Sequence, residues 1–150
     1  MAKQTFTATA TWKENLLVET ESRGHRILID EPQELGGSDK GMNPVEVVLS
    51  ALGACQAIVA RTYASQFGID LKGFRVTVEG DLDTDGFLNK SNVRPGFSNI
   101  RYIFHIDTEA PAEKISAYQE FIETHCPVGD TLANPVALKA SQVIVEHPTY

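Results

Sequence analysis

Residues 43–67, NPVEVVLSALGACQAIVARTYASQF, constrain this fold more than any other stretch. Asn43 is a good helix N-cap, Pro44 suits the first helical position, and Glu46 at N3 can reach back to the cap. The residues after Glu46 are apolar on almost every side, which predicts a buried helix rather than an amphipathic surface one. Gly68 is placed to end it as a C′ glycine. Glu46, Ser50 and Gln56 interrupt the run, so it reads as a core helix and not as a membrane span. The rest of a 150-residue chain has to wrap this rod.

Strands are expected on both sides of it. Residues 6–11 and 16–20 alternate apolar and polar about a turn at 13–15, and residues 26–30 come after a turn at Arg23-Gly24. The run EPQELGGSDKGMNP reads as a loop by its Pro and Gly content. Residues 74–82 present Phe74, Val76 and Val78 on one face; residues 100–107 present Ile100, Tyr102, Phe104 and Ile106. Between them, residues 83–98 form a long polar stretch, of a length that is often functional inside a compact domain. Residues 112–125 carry an amphipathic stripe, Ile115, Tyr118, Phe121 and Ile122. Pro127 can then open a short helix over 128–133, and residues 137–146 predict a last strand. The order predicts one α+β domain over residues 1–150, with a largely antiparallel sheet around a central helix. One sheet cannot cover every side of such a helix, so a second copy of the chain is expected to help.

A net charge of -7 argues against nucleic acid and against an anionic membrane as partners. The opening MAKQTFTATATW is polar and alternating and lacks the apolar core of a secretion signal. With two cysteines in 150 residues, the expectation is a cytoplasmic, reducing setting, where a cysteine pair is catalytic, redox-sensing or simply core.

Cys55 lies within about 60° of Leu52, Ile58 and Val59 around the helix, so it faces an apolar strip. Free cysteine is among the most buried residue types, and an apolar setting raises a thiol's pKa. A reactive Cys55 therefore needs a cation nearby. Arg61 is roughly 120° away on the same helix and Glu46 about 180° away, so neither shares its face. Lys13, Arg23 and Arg26 belong to the N-terminal hairpin region; Arg94 and Arg101 lie in or just after the long polar stretch. Cys126 precedes Pro127 and caps a short helix, where amide dipoles favour a thiolate. The four histidines are scattered and show no metal-ligand spacing. G-x-S-x-G, Walker A and G-x-G-x-x-G motifs are missing from the sequence.

The run DEPQELGGSDKGMNPVEVVLSALGAC, with HCPVGDTL later in the chain, resembles the OsmC/Ohr family, and RPGFSNI resembles its general OsmC-like branch. The resemblance implies an α+β fold with a buried central helix, in an intertwined homodimer with an active site at each end of the interface. It implies reduction of organic hydroperoxides or hydrogen peroxide with no metal, haem or flavin. Cys55 would be the peroxidatic cysteine and Cys126 the resolving one, with an external dithiol, of lipoyl type, restoring both. In the family's peroxidases the helix opens N-P-E, and that glutamate pairs with an arginine that supports the thiolate. Here Val45 takes that position and Glu46 comes one residue later; the hairpin arginine aligns near Lys13, with Arg23 and Arg26 close in sequence. The expectation is a thiol peroxidase. The alternative is a non-enzymatic dimer that binds a hydrophobic ligand and uses its cysteines as a redox sensor or as core.

Overall fold

The computed structural model describes residues 2–147. Three strands, β1 (Thr9–Glu14), β2 (Leu17–Ser22) and β3 (His25–Ile29), form an antiparallel sheet in chain order. The first turn falls at Asn15-Leu16, later than the alternation suggested, because a register irregularity between Trp12 and Glu14 carries β1 onward. Asn15 takes a φ of 47°, and its carbonyl accepts the Trp12 indole N–H at 2.7 Å. The second turn stands where Arg23-Gly24 requires it. Both residues have positive φ, 54° and 84°, as a type I′ hairpin demands.

The loop after β3 is wound around one carboxylate. Asp30 is 1% exposed and accepts backbone N–H groups from Glu31 at 2.8 Å, Lys40 at 3.1 Å and Ser38 at 3.4 Å. Gly41 runs so close to β3 that an added Cβ would meet the Leu28 carbonyl oxygen at 2.2 Å. The loop delivers the chain to α1 (Pro44–Tyr63). Its capping box is complete: the Asn43 Oδ1 accepts the Glu46 N–H and the Glu46 Oε1 accepts the Asn43 N–H, both at 2.9 Å. A short 3-10 turn, Ala64–Phe67, extends the helix to Gly68, whose φ of 64° ends it.

Strands β4 (Gly73–Leu82) and β5 (Phe97–Asp107) pair antiparallel as a separate two-stranded sheet. The intervening stretch holds a single helical turn, α2 (Thr84–Phe87), which the Asp83 carboxylate caps. The inner faces of β4 and β5 carry the expected apolar residues, and α1 packs on β4. Two further helices, α3 (Ala112–His125) and α4 (Pro127–Ala133), both pack on α1. Val59, Ala60, Ala64, Ile69, Tyr118 and Ile122 form the core between α1 and α3. Burying a side chain such as Ile122 stabilises by roughly 1.5–3 kcal/mol. The Tyr118 hydroxyl donates to the Ala60 carbonyl, which satisfies a buried polar group across the two helices.

Three expectations need correction. The sheet is not one but two, because β3 and β4 lie on opposite sides of α1 in sequence and do not pair. Within one chain α1 is buried only along a strip, Leu52, Gln56, Val59 and Ala60, while Ile58 stays 66% exposed. Residues 137–146 form no strand. A strand exists only through ladder hydrogen bonds to a neighbour, and these residues make none to another described residue. Their apolar side chains Leu138, Val143, Ile144 and Val145 are left largely exposed.

Candidate active site

The packing of α4 against α1 brings the two cysteines near each other. Cys126 is where α3 stops and α4 starts: its φ/ψ of −83°/111° breaks the helical path, and Pro127 restarts it. Its Sγ takes the place of a capping oxygen and accepts the Gly129 N–H at 3.3 Å. Cys126 is 1% exposed. Cys55, half-buried on α1, lies close enough to act on the Cys126 thiol. Both are free thiols.

Helix capping by itself favours a Cys126 thiolate, as its place before Pro127 suggests. Burial outweighs it. Desolvation is the largest influence and pushes the Cys126 thiol above its ordinary value of 9.0; the nearby Cys55 adds to this, and the amides of Gly129 and Val128 oppose it. Cys126 is thus a protonated thiol at neutral pH, and Cys55 is the more exposed of the two residues.

No basic side chain is among the groups that shift Cys126. The three candidate cations sit on the N-terminal sheet. Lys13 and Arg23 are exposed, Arg23 within the β2–β3 turn. Arg26 lies 3.5 Å from Glu21 and 3.9 Å from Glu19 on the sheet surface. Within one chain the structure brings none of the three to the cysteine pair. Arg101 is engaged elsewhere, at 2.8 Å from Asp81 and 2.9 Å from Glu79. His125 adjoins Cys126 in sequence but turns away, stacking on Phe121 with ring centroids 3.8 Å apart. Glu46 is held in the capping box.

Beside the pair, between α1, β5 and α4, lies a cleft of about 360 Å³. Gly129 and Leu52 form the wall that separates it from Cys126. Tyr102 also lines it, and the Tyr102 hydroxyl titrates above its ordinary 10.0 through burial first, then through Glu123 and Cys126. Sequence reasoning passed over Tyr102, Gln56 and Glu123, which come from three different elements. The one signal available was Gln56 as a polar residue inside the apolar run. Among the described residues, no group of three or more His, Cys, Asp or Glu side chains could hold a metal ion.

Residues 37–141 match the family described as OsmC-like protein, a span that includes both cysteines and the helices that carry them. The chain belongs to the OsmC-like family. A hydroperoxide reductase of Mycoplasma genitalium is 26% identical to this OsmC-like chain over 135 residues, which cover 85% of the chain and 86% of the relative. The crystal structure of an OsmC-like protein from Mycoplasma pneumoniae superposes with a TM-score of 0.76 at 23% identity, covering 88% of this chain and 89% of that one. An organic hydroperoxide resistance protein OsmC from Legionella pneumophila gives a TM-score of 0.63 at 21% identity, covering 88% and 91%. The α+β architecture with antiparallel sheets is therefore that of OsmC-like proteins.

Proposed function

We propose that this OsmC-like protein is a cysteine-based peroxidase that reduces organic hydroperoxides or hydrogen peroxide. The observation that carries the reading is the proximity of a half-buried Cys55 to a buried, protonated Cys126, two residues far apart in sequence. The names of its relatives, a hydroperoxide reductase and an organic hydroperoxide resistance protein, support the same chemistry. The Cys55 thiolate attacks one oxygen of the O–O bond. That oxygen stays on sulfur as a sulfenic acid, and the other leaves as the alcohol or water after taking up a proton. The Cys126 thiol then condenses with the sulfenic acid, releasing water and leaving a Cys55–Cys126 disulfide. An external dithiol, of lipoyl type, returns both to thiols and is itself oxidised to a disulfide. The cycle needs no metal or organic cofactor and is placed in the cytoplasm, with neither nucleic acid nor membrane as partner.

The working unit in this proposal is a homodimer. The exposed face of α1 at Ile58, the exposed Trp12, Ile27 and Leu28 of the N-terminal sheet, and the unpaired segment 137–146 are surfaces a second copy would cover. A partner is also the available source of a cation for Cys55, with Lys13, Arg23 and Arg26 as the candidates.

The test is consumption of cumene hydroperoxide and hydrogen peroxide with reduced lipoamide, for the wild type and for Cys55→Ser. Turnover lost in the variant is the expected result; equal rates for the two overturn the proposal. A second reading, a non-enzymatic binder of a hydrophobic ligand with the cysteines as sensor, draws on the lack of a same-chain cation acting on Cys126. Wild-type protein that binds but shows no turnover would select it.

A further inference from the structure

The Cys126 sulfur has one partner in this structure and would take another in the proposed cycle. As a thiol it is the side-chain cap of α4: its Sγ accepts the Gly129 N–H at 3.3 Å, with the Val128 amide close by. In a disulfide with Cys55 that Sγ has to turn toward α1. It is then bonded on both sides and can no longer draw toward the thiolate, the form an amide holds best. α4 has little stability to spare. It is seven residues long, opens on Pro127, which has no N–H, and carries Gly129 in its first turn. A helix of that length is not stable by itself. Besides the cap it is held by the Asp130 N–H to the Cys126 carbonyl at 2.9 Å, by the Thr131 hydroxyl to the Pro127 carbonyl at 2.7 Å, and by packing on α1. Its Gly129, Leu132 and Ala133 form one wall of the cleft.

We infer that α4 is a redox-operated wall: Cys126 caps and tightens it as a thiol, and formation of a Cys55–Cys126 disulfide withdraws the cap and loosens residues 127–133. The sign of the effect sets it apart. A cross-link between two elements ordinarily stabilises what it joins, whereas here the new covalent bond frees the helix at whose start it forms. Loosening uncovers the Cys126 side of the disulfide, which the reduced fold keeps 1% exposed. A dithiol that returns two electrons and two protons restores both thiols, and with them the cap and the closed wall. A peroxide as the natural oxidant rests on the peroxidase reading; the competition between cap and disulfide for one sulfur does not.

The experiment is amide hydrogen exchange in the two redox states. Full-length protein labelled with 15N is oxidised with diamide, whose N=N bond takes up two electrons and the two thiol protons, and the intramolecular disulfide is confirmed by mass. Exchange is compared with protein kept in dithiothreitol. The Thr131, Leu132 and Ala133 amides are expected to exchange at least about threefold faster in the oxidised protein, the size of a lost cap, while Tyr118 and Ile122 of α3 keep their rates. In reducing buffer, Cys126→Ala removes the cap without a cross-link and is expected to match the oxidised wild type at residues 131–133. Cys126→Ser, whose hydroxyl caps, is expected to match the reduced wild type. Equal or slower exchange at residues 131–133 in the oxidised wild type overturns the inference, whatever the variants do. An acceleration that extends equally to α3 overturns it too, as does failure of diamide to form the disulfide. Peroxide turnover enters none of these outcomes: protein without turnover can loosen α4 on oxidation, and an active peroxidase can keep it tight, so the two proposals fail separately.

Discussion

The Gly129 N–H donates to the Cys126 Sγ at 3.3 Å, so the sulfur acts as a capping oxygen would at the start of α4. That bond favours negative charge on sulfur, and burial disfavours it more. In the proposed cycle this balance would divide the labour between the cysteines: buried Cys126 would keep its proton until it is needed, and Cys55 would meet the oxidant.

Alkylation should report this division. In native protein at pH 8, iodoacetamide is expected to modify Cys55 at least about tenfold faster than Cys126, since the thiolate is the nucleophile and access limits the rest. In denaturant the two rates should converge. Mass spectrometry of quenched time points makes the measurement, and native rates in the opposite order would contradict the burial argument.

The same group sets an alkaline limit. Because folding raises the Cys126 pKa, its contribution to stability is full below the ordinary value of 9.0 and is lost as pH rises through the higher folded value. Urea titrations of wild type and Cys126→Ser between pH 7 and 10.5 are expected to show the wild type losing stability more steeply at the alkaline end.

Removal of Cys126 should interrupt the proposed cycle at its first product. Cys126→Ser treated with one equivalent of cumene hydroperoxide is expected to accumulate a dimedone-reactive sulfenic acid at Cys55. The wild type should instead give an intramolecular disulfide and little adduct. A stable adduct in both proteins would count against Cys126 as the resolving thiol.

The α1–α3 core has two separable terms. Tyr118→Phe removes the hydroxyl bond to Ala60 but keeps the ring, so a loss of about 1 kcal/mol is expected. Ile122→Ala empties a fully buried site and is expected to cost about 2–5 kcal/mol. Chemical denaturation with a constant m-value separates the two.

Asp30 holds the glycine loop by its charge. Burial acts to raise its pKa, but the amides of Glu31, Lys40 and Ser38 and the charge of Lys40 together bring it below the ordinary 3.8. The stability from this depressed pKa is present above 3.8 and is lost as pH falls through the lower folded value. Asp30→Asn is expected to speed amide exchange at Ser38 and Lys40 at pH 6–7, with the difference shrinking as pH drops below the folded value.

Local chemistry carried much of this protein. Asn43, Pro44 and Glu46 determined where α1 begins and Gly68 where it ends, because caps are satisfied within a few residues of chain. Arg23-Gly24 determined a hairpin turn, and alternation placed the inner faces of β4 and β5. Cys126 was recognisable as the start of α4 from Pro127 alone. The end of β1 was not so legible, since Trp12, Lys13 and Glu14 fit strand or turn equally until the Trp12–Asn15 bond forms.

Tertiary structure decided what spacing cannot express. The proximity of Cys55 to Cys126 depends on α4 folding back onto α1, and the protonation of Cys126 depends on how deeply that packing buries it. Gln56, Tyr102 and Glu123 share a cleft only because α1, β5 and α3 converge there. Residues 137–146 show the limit in the other direction. Their alternating sequence has strand propensity, but a strand is a property of a pair, and within one chain the neighbour is missing.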